Sequence, residues 1–247
     1  MTQVRLLSRA GRPPLALRRR EGRGPTLVFL PGYMSDMEGG KASALDLWAA
    51  ANGRAMLRFD YAGCGLSEGD FGDQTLALWR DDVLAMLDSV EGPVLLVGSS
   101  MGGWLMLLAA LERPERVAGL VGIAAAPDFT DWGFDEAQKR ILREQGRLEE
   151  PSPYGEAPYV TTRAFWESGE ALKLLGGEIA IDCPVRLLHG LEDPDVPWRV
   201  SSRLLEALRS ADVGMTLVKG GDHRLSRPGD IALLIETVAK LLPDEAA

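Results

Sequence analysis

The chain has 247 residues, of which 46% are hydrophobic and 26% charged, enough for one sizeable core with the composition of a soluble enzyme. A formal net charge of −9 disfavours nucleic acid or an anionic membrane as partner, because either would repel it. No window reaches the length of a membrane span, and two cysteines, Cys64 and Cys183, without a secretory signal read as reduced thiols.

The Arg-rich start (Arg5, Arg9, Arg12, Arg18, Arg19, Arg20) has the composition of a transit peptide, but its pattern favours structure. Val4–Leu7 and Leu15–Arg18 read as two short strands joined by Gly11-Arg12-Pro13-Pro14. From about residue 26 onward, short apolar runs alternate with amphipathic segments. Thr26–Leu30, Ala55–Phe59, Val94–Val97, Val117–Ile123, Val185–Leu188 and Met215–Val218 are bounded by Gly, Pro or Asp, as strands buried on both faces of a parallel sheet are. Between them, Leu76, Trp79, Val83, Leu87 and Val90 recur at helical spacing, as do Ile231, Leu234, Ile235 and Val238. The alternation predicts an α/β fold, a mostly parallel sheet flanked by helices, in a single domain over 1–247.

The loop after the first of these strands reads Pro31-Gly32-Tyr33-Met34. The next feature is one of two Gly-x-Ser-x-Gly matches, Gly65-Leu66-Ser67-Glu68-Gly69, which runs on into Asp70-Phe71-Gly72-Asp73 and so sits in a loop. The other match, Gly98-Ser99-Ser100-Met101-Gly102, follows the apolar run Pro93–Val97 and opens the helical run Trp104–Leu111. That strand–turn–helix setting is what a nucleophile elbow needs: a sharp turn projects the serine above the sheet edge, and neighbours without bulky side chains make room for it. Ser100 is therefore the candidate nucleophile, Ser67 a loop residue, and Gly103 a site of close helix packing.

A stretch from about 127 to 182 breaks the alternation and reads as a small helical cap inserted into the domain. It holds two predicted helices, Asp135–Gln145 and Arg163–Leu175, around the turn Pro151-Ser152-Pro153-Tyr154. Its aromatics are Phe129, Trp132, Phe134, Tyr154, Tyr159, Phe165 and Trp166. Trp132 and Trp166 from this segment, with Trp104 and Trp198 beside the elbow and acid loops, are the candidate substrate-binding residues for an apolar acyl chain; each could equally glue helices to the core.

A serine hydroxyl is a weak nucleophile without a base, and the chain has two histidines. His189 ends a strand and reads as a residue in or beside the sheet. His223, in Gly220-Gly221-Asp222-His223-Arg224 after the last strand, is the candidate base. Asp193 is the candidate acid, with Asp195 two residues on and Asp128 after the Val117–Ile123 strand as rivals; the order Ser, Asp, His is that of hydrolases with a nucleophile elbow. Met101 and Tyr33 supply the candidate oxyanion-hole N–H groups. Tyr33, Ser100, Asp193 and His223 all follow the carboxyl end of a predicted strand, where open α/β sheets gather functional groups.

These residues resemble the α/β-hydrolase superfamily over nearly the whole chain. Phe59-Asp60-Tyr61-Ala62-Gly63-Cys64-Gly65-Leu66-Ser67 is similar to that family's Asp-x-x-Gly-x-Gly-x-Ser loop, which accounts for the second serine motif. Pro31–Met37, Gly98–Trp104, Asp193-Pro194-Asp195-Val196-Pro197-Trp198 and Asp222-His223-Arg224 resemble the mitochondrial abhydrolase ten group, which includes protein depalmitoylases and an acyl-glucuronide esterase. The resemblance places nucleophile, acid and base on Ser100, Asp193 and His223, favouring Asp193 over Asp195, and implies cleavage of esters or thioesters through an acyl-enzyme. No metal or organic cofactor is required. The substrate is expected to be a small-molecule ester or thioester, or an acylated protein. Arg-rich, Lys-poor composition without a leader pattern looks bacterial, so a cytoplasmic location is expected. The same triad also serves carbon–carbon bond hydrolysis, perhydrolysis and aminopeptidase chemistry, and a silent ligand-binding receptor is the reading from another class.

Overall fold

The computed structural model describes residues 2–151 and 158–242. The chain begins with an antiparallel hairpin, β1 (Val4–Arg9) and β2 (Arg12–Arg20), turning through Gly11 at a φ of 68°. Then follow β3 (Arg23–Leu30), α1 (Gly40–Ala51), β4 (Arg54–Phe59), α2 (Leu76–Asp88), β5 (Val94–Ser99), α3 (Met101–Glu112) and β6 (Val117–Ile123). Between β6 and the next strand of the main sheet come α4 (Phe129–Trp132), α5 (Glu136–Gln145), β7 (Arg147–Glu150), β8 (Tyr159–Thr162) and α6 (Arg163–Ala171). The chain then returns to the sheet with β9 (Val185–Gly190), α7 (Arg199–Ala207), β10 (Val213–Val218) and α8 (Pro228–Leu241).

The eight main strands lie in the order β1-β2-β4-β3-β5-β6-β9-β10. Only β2 runs against its neighbours; the pairs from β4 to β10 are all parallel. Alternation along each buried strand sends side chains to two faces. Val28, Leu96 and Leu120 point to a layer with Trp79 of α2, Trp104 of α3 and Leu204 of α7. Leu27, Leu95 and Val121 point to the opposite layer, with Leu45 of α1 and Leu234 of α8. Strand β3 is followed by β4 on one side and, after the return through α2, by β5 on the other. The connections leaving β3 and β5 therefore diverge to opposite faces, opening a crevice at their carboxyl ends.

The insertion between β6 and β9 is more built than its sequence suggests. Helix α5 starts with a reciprocal box, Asp135 accepting from the Gln138 N–H at 2.8 Å and Gln138 from the Asp135 N–H at 2.7 Å, and stops at Gly146 in the left-handed region, φ 78°. Strands β7 and β8 pair antiparallel, a hairpin the charged Arg147-Leu148-Glu149-Glu150 does not announce. Helix α6 ends at Ala171, four residues short of the expected Leu175, because the N–H groups of Leu174 and Leu175 donate to the Asp128 carboxylate at 2.7 and 2.8 Å. Of the turn Pro151-Ser152-Pro153-Tyr154, all but Pro151 lies outside the described residues.

Candidate active site

Ser100 stands at the turn from β5 into α3, with a φ of 55° and a ψ of −121°, a conformation unfavourable for any residue with a Cβ. The backbone around it enforces the turn. The Ser100 N–H donates to Ile123 O at 2.9 Å, and its carbonyl accepts from Gly103 at 2.9 Å and Ala126 at 3.1 Å. The neighbouring glycines are required by contact: a Cβ at Gly98 would lie 2.4 Å from Gly102 O, and one at Gly102 would lie 2.1 Å from Leu30 O. Ser100 occupies the N-cap position of α3 without using its hydroxyl as a cap. Met101 is the first residue of that helix, so its N–H has no partner within the helix and faces the helix's positive end. Across the crevice, Gly32 brings the loop after β3 close; a Cβ there would sit 3.3 Å from the Ser100 Cβ. Ser67, by contrast, spends its hydroxyl on structure, accepting from Ala16 N at 2.8 Å and donating to Asp60 O at 2.6 Å.

The acid and base loops follow β9 and β10. They approach so closely that a Cβ on Gly190 would lie 2.2 Å from Gly221 O, and Glu192 N donates to that carbonyl at 2.9 Å. His223 Nδ1 donates to Asp193 Oδ2 at 2.8 Å. Because a carboxylate only accepts, Nδ1 carries the hydrogen and Nε2 keeps the lone pair a base needs. The side chain of Asp193 is 1% exposed, against 16% for His223. Burial pushes the Asp193 carboxyl up, but hydrogen bonds from His189 and His223 outweigh it and hold the group well below the usual carboxylate range. Its other oxygen, Oδ1, accepts the N–H groups of Asp195 at 2.9 Å and Val196 at 2.8 Å.

The rival acids are placed otherwise. Asp128 is buried and turned toward the insertion, both oxygens engaged by Leu174 and Leu175. Asp195 reaches the same neighbourhood, and one donor atom each from Asp193, Asp195 and His223 fall within 4.8 Å of one another, a spacing a cation could use. Four N–H groups already aim at the Asp193 oxygens, however, which fills the lone-pair positions a metal would need.

Ser100, Met101, Tyr33 and His223 line one cavity of about 530 Å³, within the usual range for small-molecule sites. Its apolar lining residues include Ala126, Phe129, Trp132, Phe134 and Val196, and its polar ones include Asp36, Lys41, Glu150, Thr161, Asp195 and Arg224. Of the four expected substrate-binding tryptophans, Trp132 is on this wall and the other three are not among the lining residues. Trp104 is fully buried, donating from its indole to Leu172 O at 3.3 Å; Trp166 is buried, donating to Thr130 O at 3.0 Å. Trp198 lies under the Arg199 guanidinium, 4.7 Å from the ring centre. Indole N–H groups in a core need an acceptor, and the carbonyls that supply them lie away from the crevice. Tyr33 sends its ring into a cluster with Phe71, Trp79, Phe129, Tyr159 and Phe165, and its hydroxyl donates to Val160 O in β8, so the loop after β3 is fastened to the segment between β6 and β9. Lys41 is a wall residue that the sequence did not single out. Its ammonium donates to Arg224 O, next to His223, and burial with the nearby Arg224 lowers its pKa to about 8.

A profile of the Alpha/beta hydrolase family matches residues 27–232. The mitochondrial palmitoyl-protein thioesterase ABHD10 of Homo sapiens is 40% identical over 246 residues, covering 98% of this chain and 80% of that protein. The Mus musculus protein of the same name is 44% identical over 242 residues, covering 96% and 81%. Among solved structures, mouse alpha/beta hydrolase domain-containing protein 10 superposes with a TM-score of 0.92 at 41% identity, over 97% of this chain and 98% of that one. A putative hydrolase from Agrobacterium vitis S4 gives 0.91 at 39% identity, over 98% and 99%.

Proposed function

The chain belongs to the alpha/beta hydrolase family, and we propose that it cleaves carboxylic esters or thioesters through Ser100, His223 and Asp193. The observation that carries this reading is the 2.8 Å contact from His223 Nδ1 to a buried, ionised Asp193, on a cavity that His223 shares with a strained Ser100. Ser100 Oγ attacks the acyl carbonyl carbon while His223 Nε2 takes its proton, and Asp193 stabilises the imidazolium that forms. The N–H groups of Met101 and Tyr33 receive the oxyanion of the tetrahedral intermediate. His223 returns the proton to the leaving oxygen or sulfur, then takes one from a water that attacks the acyl carbon; the C–Oγ bond breaks, the acid leaves and His223 gives that proton back to Ser100 Oγ.

The apolar lining residues of the cavity suit an acyl group, and its polar lining residues, Lys41 and Arg224 among them, suit a polar leaving group. The named relatives are palmitoyl-protein thioesterases, which supports a long acyl chain, on a small molecule or a protein, as substrate. We read residues 127–182 as a cap on a single domain, since Phe129, Trp132 and Phe134 of that segment line the cavity together with Ser100 and His223. No helix of the described residues is long and apolar enough to cross a membrane. The same relatives are mitochondrial by name, so the expected cytoplasmic location finds no support among them.

The test is hydrolysis of p-nitrophenyl esters from acetate to palmitate by the wild type and Ser100→Ala. Loss of activity in the variant, with specificity rising beyond acetate, supports both the nucleophile and the acyl pocket. Full activity in Ser100→Ala would refute the mechanism, and a flat chain-length profile would refute the pocket.

A further inference from the structure

His189 is the second of the two histidines and takes no part in the mechanism above. It lies at the end of β9, fully buried. Its Nε2 is 2.9 Å from Val196 O and 3.2 Å from Asp193 Oδ2, and its Nδ1 is 2.7 Å from Ser201 Oγ. Both neighbours of Nε2 only accept hydrogen bonds, so Nε2 must carry the hydrogen. A ring with one hydrogen, on Nε2, has its lone pair on Nδ1, 2.7 Å from the Ser201 hydroxyl, which can donate to it. Val196 O and the Asp193 carboxylate thus fix the tautomer of His189, and Ser201, buried in α7, satisfies its other nitrogen.

We propose that His189 is a positioning residue for the candidate acid, donating a second hydrogen bond to the same Asp193 oxygen that His223 uses. This rests on the triad reading given above. One oxygen shared between two imidazole N–H groups is a weaker acceptor for each, so His189 limits how strongly Asp193 draws the His223 proton. By bridging Val196 O and Asp193 Oδ2, it also ties both ends of the acid loop together and fixes the direction of the carboxylate. Of the other polar or charged groups, Asp195 brings a carboxylate oxygen within 4.8 Å of the Asp193 and His223 donor atoms, and Ser100, Asp36, Lys41 and Arg224 line the same cavity as His223. All of these stay in place in the variants below.

The experiment compares wild type with His189→Leu, His189→Gln and Ser201→Ala. Two quantities are read: the acid limb of the kcat/KM profile for p-nitrophenyl esters, and the low-field proton resonance of the His223–Asp193 hydrogen bond. In His189→Leu the oxygen serves His223 alone. The acid limb should move up by about half a pH unit or more, the resonance should move downfield, and kcat should fall about 10-fold as the carboxylate loses its second tether. Glutamine can place an amide N–H where Nε2 was and should restore the limb and the resonance. Ser201→Ala, which keeps the imidazole but removes the hydroxyl that holds its Nδ1 at 2.7 Å, should shift both in the same direction by less. If His189→Leu does not fold, Ser201→Ala decides alone. An unmoved limb and resonance in the folded variants, or a glutamine variant as altered as leucine, would overturn the proposal. The resonance is read without substrate, so an enzyme inactive on esters would sink the functional reading and leave the role of His189 still open to decision by that signal.

Discussion

Replacing Asp193 by Asn changes one atom, and the surroundings dictate which way the amide must lie. Oδ1 receives the backbone N–H groups of Asp195 and Val196 at 2.9 and 2.8 Å. A backbone N–H cannot change its role, so an amide NH2 turned to that side would oppose two donors and forfeit both bonds. The asparagine therefore keeps its oxygen there and points its NH2 at His223 and His189. His223 answers by presenting the Nδ1 lone pair, which moves its hydrogen to Nε2, and an Nε2–H cannot accept the Ser100 proton. The imidazolium of the transition state also loses its counter-charge. Kcat on a p-nitrophenyl ester should fall by roughly 10⁴, about 5.5 kcal/mol of barrier, with KM little changed. Stability should fall by only about 1–3 kcal/mol, because the backbone bonds to Oδ1 survive. Kcat within 10-fold of wild type, in a variant whose circular dichroism matches, would show that Asp193 does not set the tautomer of His223.

Three further outcomes follow from the same geometry. Asp193 is ionised in the fold below the usual range, so its contribution is present above the unfolded pKa and lost as pH falls through the folded one; the stability margin of wild type over Asp193→Asn should narrow below about pH 4 in urea titrations. Trp132→Ala should raise KM for long-chain esters more than for acetate with little change in melting temperature, whereas Trp104→Ala, emptying a fully buried site, should cost about 3–5 kcal/mol of stability; a reversed pattern would contradict the cavity's outline. Gly102→Val, whose Cβ would meet the Leu30 carbonyl at 2.1 Å, should abolish activity and lower the denaturation midpoint, and a fully active, equally stable variant would refute the packing described for the elbow.

The central strands β5 and β6 were legible because they are apolar on both faces and punctuated by Gly, Pro or Asp, a pattern that survives without tertiary context. The edge strand β10, expected to be buried on both faces, is only partly buried. The elbow was legible because Gly98, Ser100 and Gly102 sit between a strand and a helix. The insertion was less so. Its β7–β8 hairpin is written in Arg, Glu and Thr, and α6 stops where a distant carboxylate captures its backbone, which no local signal encodes. Of the four tryptophans expected on the wall only Trp132 lines the cavity, for a related reason: sequence proximity to the elbow or acid loop says nothing about which way a side chain leaves its helix, and α3 turns Trp104 into the core. Lys41 was invisible because its place depends on loops meeting from far apart in the chain. The His189–Asp193 contact, though only four residues apart, was invisible because it depends on how the loop after β9 folds back on the strand end.

The most direct test of Ser100 as nucleophile is labelling with a fluorophosphonate followed by peptide mapping. The account predicts one adduct, on the peptide carrying Ser100, absent from Ser100→Ala and strongly slowed in His223→Ala. An adduct on another residue, or equal labelling of Ser100→Ala, would contradict it.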